Sequence, residues 1–178
     1  NALVVFQFAT SIILMVGTIV VYKQLNYIQH KKIGFNKDQV LTVEGTWVLG
    51  NNYQAFRNEV EKIPGVKASA RAAYLPVSNS SRSSNTFFKD AVMDIKGGFN
   101  MQQWRVDENY IPVMGMEMAA GRNFSKEFLS DSTAIIINES TAQLLGYKEP
   151  LGKQVYAGNN DGKTTEPYTI IGVVKNFN

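Results

Sequence analysis

The stretch nearest to a binding or catalytic motif is Ala157-Gly158-Asn159-Asn160-Asp161-Gly162-Lys163-Thr164. It resembles a phosphate-binding loop with Ala in place of the first glycine. That chemistry needs a strand before the loop and a helix after it, so that amides and a helix N-terminus face the phosphates. Here Pro167 and a β-rich run follow, which predicts a hairpin turn instead. The same residues lack the bidentate Glu and the flanking helices of a calcium loop.

Other candidates fall to spacing and elimination. Glu59 with Glu61 and Asp107 with Glu108 are carboxylate pairs. Helical residues one or two apart point to different faces, so neither pair converges. The one histidine, His30, stands outside the globular part, which therefore has no His-based metal site and no Ser-His triad. The absence of cysteine excludes disulfides, thiolate metal sites and Cys nucleophiles. The serine-rich run Ser78 to Ser84 reads as a solvated loop rather than a substrate loop. The expectation is a chain with no catalytic, cofactor-binding or metal-binding residue.

The N-terminal stretch, 1–35, carries a stronger signal. Ala2 to Tyr22 holds 21 residues without a charge, about one hydrocarbon core of helix. Leu3, Phe6, Phe8, Ile12, Leu14, Val16, Ile19 and Tyr22 mark the expected membrane span. Nearly every helical face is apolar, unlike a core helix of a soluble domain, which shows a polar stripe. The run is too long for a signal peptide and has no small-residue cleavage site. Helix formers continue through Lys23, Gln24, Leu25, Tyr27 and Ile28, and Gly34-Phe35 reads as the C-terminal cap. A rod of about 30 residues, roughly 45 Å, is expected, with its last three turns standing in water as a stalk.

Charge follows the same division. Residues 1–38 hold four lysines against one aspartate, and the remainder holds 14 basic and 14 acidic groups. The net charge of +3 therefore belongs to the stalk, and a nucleic-acid partner is not expected. Lysines after the span would favour a cytoplasmic C-terminal side, but the N-terminal flank is needed for the comparison, so orientation stays open. Starting at Asn1 without Met, the chain reads as a segment of something larger.

Residues 36–178 read as α+β with mostly antiparallel pairing. Val40 to Glu44 alternates as a strand, Tyr53 to Lys62 forms a helix capped by Asn51 or Asn52, and Val66 to Tyr74 is a strand. Together these predict a β-α-β unit. Thr86 to Val106 reads as two or three antiparallel strands. Asp107 caps a short helix closed by Gly115, and Met116 to Ala120 is a strand. Thr133 to Ile137 is an apolar strand leading to a helix that Asn138 caps and Gly146 ends. Gln154 to Tyr156 and Tyr168 to Val174 form a final hairpin.

Several motifs carry a resemblance across nearly the whole chain. They are Leu3-Val4-Val5-Phe6-Gln7-Phe8-Ala9-Thr10-Ser11, Val20 to Tyr27, Gly34 to Leu41, Gly121-Arg122-Asn123-Phe124-Ser125, Ala134 to Glu139, Pro150-Leu151-Gly152-Lys153 and Ile170 to Lys175. In their order they resemble the MacB/FtsX-like ABC transporter permeases of Bacteroidetes type, and most resemble the span that opens the second copy of the repeated unit. The resemblance implies a transmembrane helix with a periplasmic stalk extension (1–35) followed by a MacB-like periplasmic core domain (36–178). That domain would have one lobe at about 36–76 and 107–178 and an inserted lobe at about 77–106. It implies a bacterial inner-membrane location, with the globular domain in the periplasm and the basic flank before Asn1. It also implies a non-catalytic domain, ATP and Mg held by a partner ABC ATPase subunit, and a second permease copy as dimer partner. A periplasmic adaptor, lipoprotein or peptide cargo, and membrane lipid complete the implied partners. Lys23, Gln24, Leu25, Tyr27, Ile28 and Gly34 would form the lever. The competing readings are a single-span sensor or interaction ectodomain, and a tethered enzyme.

Overall fold

A computed structural model describes residues 2–30, 34, 40–74, 83–94, 97–159 and 161–177. The chain divides into two compact units, Asn1–Ile33 and Gly34–Asn178. The first is helix α1, Ala2–His30, 29 residues without interruption. Its side chains from Ala2 to Ile28 are all exposed. The expected cap at Gly34 keeps its left-handed backbone, φ +79, while 31–33 and Phe35 lie outside the described residues.

The second unit is built on one six-stranded sheet. Its strands are β1 Ser84–Phe88, β2 Phe99–Gln102, β3 Met118–Gly121, β4 Ala134–Asn138, β5 Gln154–Gly158 and β6 Thr165–Val174. The ten-residue β6 organises it. β4 lies parallel along β6 residues 169–174, whereas β5 and then β3 pair antiparallel with residues 165–169 and 172–174. Because β4 shares its β6 partners with both others, it must occupy the opposite flank. β1 joins β5, and β2 joins β1, both antiparallel. Residues 84–102, which the resemblance assigns to an inserted lobe, thus share a sheet with the C-terminal hairpin.

Phe87, Leu145, Val155 and Ile170 are essentially fully enclosed at the centre of the first core cluster. A second cluster gathers Tyr110, Ile111, Met114, Met116 and Val174, with Trp104 and Phe177 packed against it. Helix α4, Glu139–Leu145, is local chemistry as expected. The Asn138 side chain accepts from Thr141 N at 2.9 Å, and Gly146 closes the helix at φ +68.

Other expectations are corrected. Val40 to Glu44 forms no strand and is exposed throughout, because no described segment pairs with it. Val66 to Tyr74 keeps only an isolated bridge, Ala72 with Val106. The first β-α-β unit is therefore its helix, α2 Tyr53–Glu61, without a flanking ladder. A 3-10 helix, Thr46–Asn52, runs into α2, so Asn52 stays helical and makes no side-chain cap bond. The short helix is α3, Tyr110–Val113; its cap position is Asn109, with Asp107 two residues earlier accepting from Asn109 N at 3.2 Å. A second 3-10 helix, Leu129–Thr133, precedes β4.

Candidate functional site

The hydroxyls within the apolar part of α1 are satisfied inside the helix. Thr10 Oγ1 donates to Phe6 O at 2.9 Å and Thr18 Oγ1 to Leu14 O at 2.8 Å. That suits hydrocarbon, where no water can take the proton. Leu3, Phe6, Phe8, Ile12, Leu14, Val16, Ile19 and Tyr22 all present exposed side chains on this helix. Lys23, Gln24, Leu25, Tyr27 and Ile28 continue it without a break.

The phosphate-loop lookalike is a hairpin turn. Asn159 N donates to Thr164 O at 2.9 Å. Asp161 then fills the concavity with its own carboxylate, accepting from Lys163 N, Thr164 N and the Thr164 hydroxyl at 2.9, 2.9 and 2.6 Å. The Thr164 hydroxyl and the two amides hold that carboxyl below its usual range. A phosphate would meet negative charge there, and β6 follows where a helix is required.

Of the two carboxylate pairs only Glu59 and Glu61 separate as their spacing predicts; Asp107 and Glu108 converge on one Arg57 nitrogen, because they stand in the turn before α3 and not within a helix. Glu59 pairs with Lys62 at 2.7 Å, while Glu61 turns to Arg57 at 3.2 Å. The Ser69 hydroxyl, and then Arg57, hold the Glu61 carboxyl below its ordinary value. Arg57 is the centre of a network invisible to sequence spacing. It is buried, and it also reaches Asp107 at 3.4 Å, Glu108 at 3.8 Å and the Ser69 carbonyl at 3.4 Å. This clamps α2 onto segments 69–71 and 107–108. Arg122 holds Asp131 through two bonds, at 2.8 and 2.6 Å. Among the described residues no cluster of His, Asp or Glu could hold a metal ion.

Sequence reasoning missed a groove of about 910 Å³ in the second unit. It runs between β4 and the segment after β2, with half-buried Met101, Ile135, Ile136 and Tyr168 among its apolar lining and Trp104 and Phe177 lining it as well. The Trp104 ring lies 5.1 Å from Phe177, 5.1 Å from Tyr74 and 6.3 Å, edge-on, from Tyr110. Tyr110 is 3% exposed, and its buried hydroxyl has no hydrogen-bond partner among the described residues. Burial pushes its pKa up to about 12. Cationic and anionic residues mix along the rim, Arg105 and Lys126 with Asp107, Glu108 and Asp131, so the groove presents no single sign of charge. Its lining offers apolar surface with hydrogen-bonding groups along the rim.

The family model of the MacB-like periplasmic core domain matches residues 8–178. The chain belongs to that family. The resemblance of its motifs to MacB/FtsX-like ABC transporter permeases holds, and this MacB-like domain is α+β as expected. Among solved structures, the periplasmic region of MacB from Actinobacillus actinomycetemcomitans is 21% identical, with a TM-score of 0.49, over 69% of this chain and 50% of that one. The extracellular domain of the noncanonic ABC-type transporter YknZ from Gram-positive bacteria is 28% identical, with a TM-score of 0.47, over 68% of this chain and 56% of that one. The chain thus matches about half the length of each. No curated protein matches.

Proposed function

We propose that this chain is the first span and periplasmic domain of an ABC permease, and that α1 carries ATP-driven displacement from the membrane to a non-catalytic domain. The observation that carries this reading is the continuity of α1. One helix, Ala2–His30, is apolar on all sides for six turns and then polar for two, with no Gly, Pro or bend between Gly17 and His30. At about 1.5 Å per residue it exceeds a hydrocarbon core by on the order of 10 Å. A stiff helix transmits displacement where a flexible linker would absorb it. ATP would be bound and hydrolysed by a partner ATPase subunit at the inner membrane, and a second permease copy would complete the assembly. Export and force transmission to a periplasmic partner are both served by this geometry. Lys23, Gln24, Leu25, Tyr27, Ile28 and Gly34 form the lever.

A proline at Gln24 or Ile28 in the assembled permease tests the lever. It removes a helix hydrogen bond and kinks the rod. The expected result is continued ATP turnover with export lost. Unchanged export in a variant that inserts normally would refute the lever.

A further inference from the structure

Among the described residues, two backbone edges that face the groove have no ladder partner. Among the described residues β4 is bonded on one flank, by β6. All five of its residues line the groove although their side chains alternate between faces, so the groove follows the strand's outer edge. On the opposite wall, Ala73 N donates to Arg105 O at 2.8 Å and Asp107 N to Arg71 O at 3.0 Å. In such an antiparallel pair the residue between, Val106, turns its own N–H and C=O to the far side. Val106 lines the groove as well.

The directions of these walls are fixed by the ladder. β4 is parallel to β6, and each step from β6 to β5, β1 and β2 reverses direction. Residues 103–107, which continue β2, therefore run opposite to β4. Phe177 follows Val174, the partner of Asn138, and stacks on Trp104. Trp104 thus lies at the Asn138 end of the groove and Asp107 toward the Ala134 end.

The same unit contains a strand-like segment that has no ladder among the described residues. Val40-Leu41-Thr42-Val43-Glu44 has β-branched alternation but is exposed, Leu41 at 88%, and Trp47 beyond it at 78%. Its five residues match the five of β4. Its approaches fit too. Gly34, six residues upstream, lies against the backbone of Asn176 and Phe177 at the Asn138 end. Helix α2, nine residues downstream, is held to Asp107 by Arg57. Six extended residues span up to roughly 20 Å, and the nine that include the 3-10 helix Thr46–Asn52 span roughly 20 Å as well, enough to lead the segment along the groove from one end to the other.

We propose that Val40–Glu44 is a strap that seats in this groove, antiparallel to β4 and parallel to 103–107. Seated, it pairs both open edges, covers the apolar lining and brings polar backbone to the Tyr110 hydroxyl. The exposed arrangement is the released state of the same strap. This proposal stands apart from the lever reading.

The absence of cysteine makes the test direct. Thr42→Cys is combined with Ile136→Cys in the full chain, in detergent micelles, and mildly oxidised. Antiparallel neighbours stand about 4.5–5.5 Å apart at Cα, within disulfide range. Thr42→Cys with Ile135→Cys covers a one-residue register slip, and Thr42→Cys with Leu144→Cys, on exposed α4, is the control. The expected result is a disulfide within one chain, formed roughly tenfold faster than the control by one of the two groove pairs. Amide exchange along β4 should also slow in the cross-linked chain. Rates equal to the control would overturn the strap. So would disulfide-linked dimers, which would mean that the groove takes its strand from a second copy.

Discussion

Gly34 and Phe177 are in backbone contact: a Cβ placed on Gly34 would lie 2.7 Å from Phe177 Cα and 2.7 Å from Asn176 O. The segment it touches is fastened on three sides. Lys175 pairs with Glu117, the Asn176 side chain accepts from Ser140 N and Oγ at 2.9 and 2.8 Å, and the Phe177 ring stacks on Trp104. Gly34 thus rests on a braced part of its own unit.

Substituting Gly34→Ala should be costly for two reasons, the left-handed φ of +79 and the contact with fixed backbone. The backbone term alone is about 1–2 kcal/mol. Urea unfolding followed by Trp104 fluorescence should show a lower midpoint. An unchanged midpoint would mean that Gly34 does not bear on the domain's stability.

Replacing Arg57 by Ala should destabilise the second unit by about 1–3 kcal/mol, because half-buried Asp107 loses its cation beside Glu108, which keeps only Lys126. Arg57→Lys should recover little, since one ammonium cannot reach acceptors spread over α2, Ser69 and Asp107 as a guanidinium does. Thermal unfolding of the three chains side by side decides this, and full recovery by Lys would refute the clamp.

Acid should loosen the segment before β4. Arg122 holds the Asp131 carboxyl below its ordinary 3.8, helped by Ser125 N. A depressed folded-state pKa contributes stability that is present above the unfolded value and lost as pH falls through the folded one. Stability should therefore decline as pH drops below about 4. Asp131→Asn should be less stable at pH 7 and show a shallower decline. Unfolding midpoints from pH 7 to 3 measure both, and identical slopes would exclude Asp131 as a source.

Residues 36–178 should fold without the span, because both core clusters lie wholly within them. Circular dichroism and a cooperative melt of that piece are the check. Aggregation across all buffers would count against it.

What could be read from sequence was local. Asn138 and Gly146 bracket α4, Asp161 and Gly162 make the β5–β6 turn, and the uncharged run defines α1. Each is decided by residues a few positions apart. Val40 to Glu44 shows why strands are harder: alternation gives a segment the capacity to pair, but a ladder forms only where the fold seats it against an open edge, which lies far away in sequence. Arg57 with Asp107, 50 residues apart, and the Tyr110 hydroxyl carry no spacing signal at all. The groove follows from the pairing order of β4 and β2, which no short window contains.

The ten residues of β6 run without interruption to the braced end at Lys175–Phe177. Tension applied at Phe177 acts along the axis of β6, so its ladders with β3, β4 and β5 are loaded in shear and their bonds must yield together. A hairpin pulled from its open end would instead unzip one bond at a time. Held by this strand in optical tweezers, the domain should rupture abruptly at high force rather than peel.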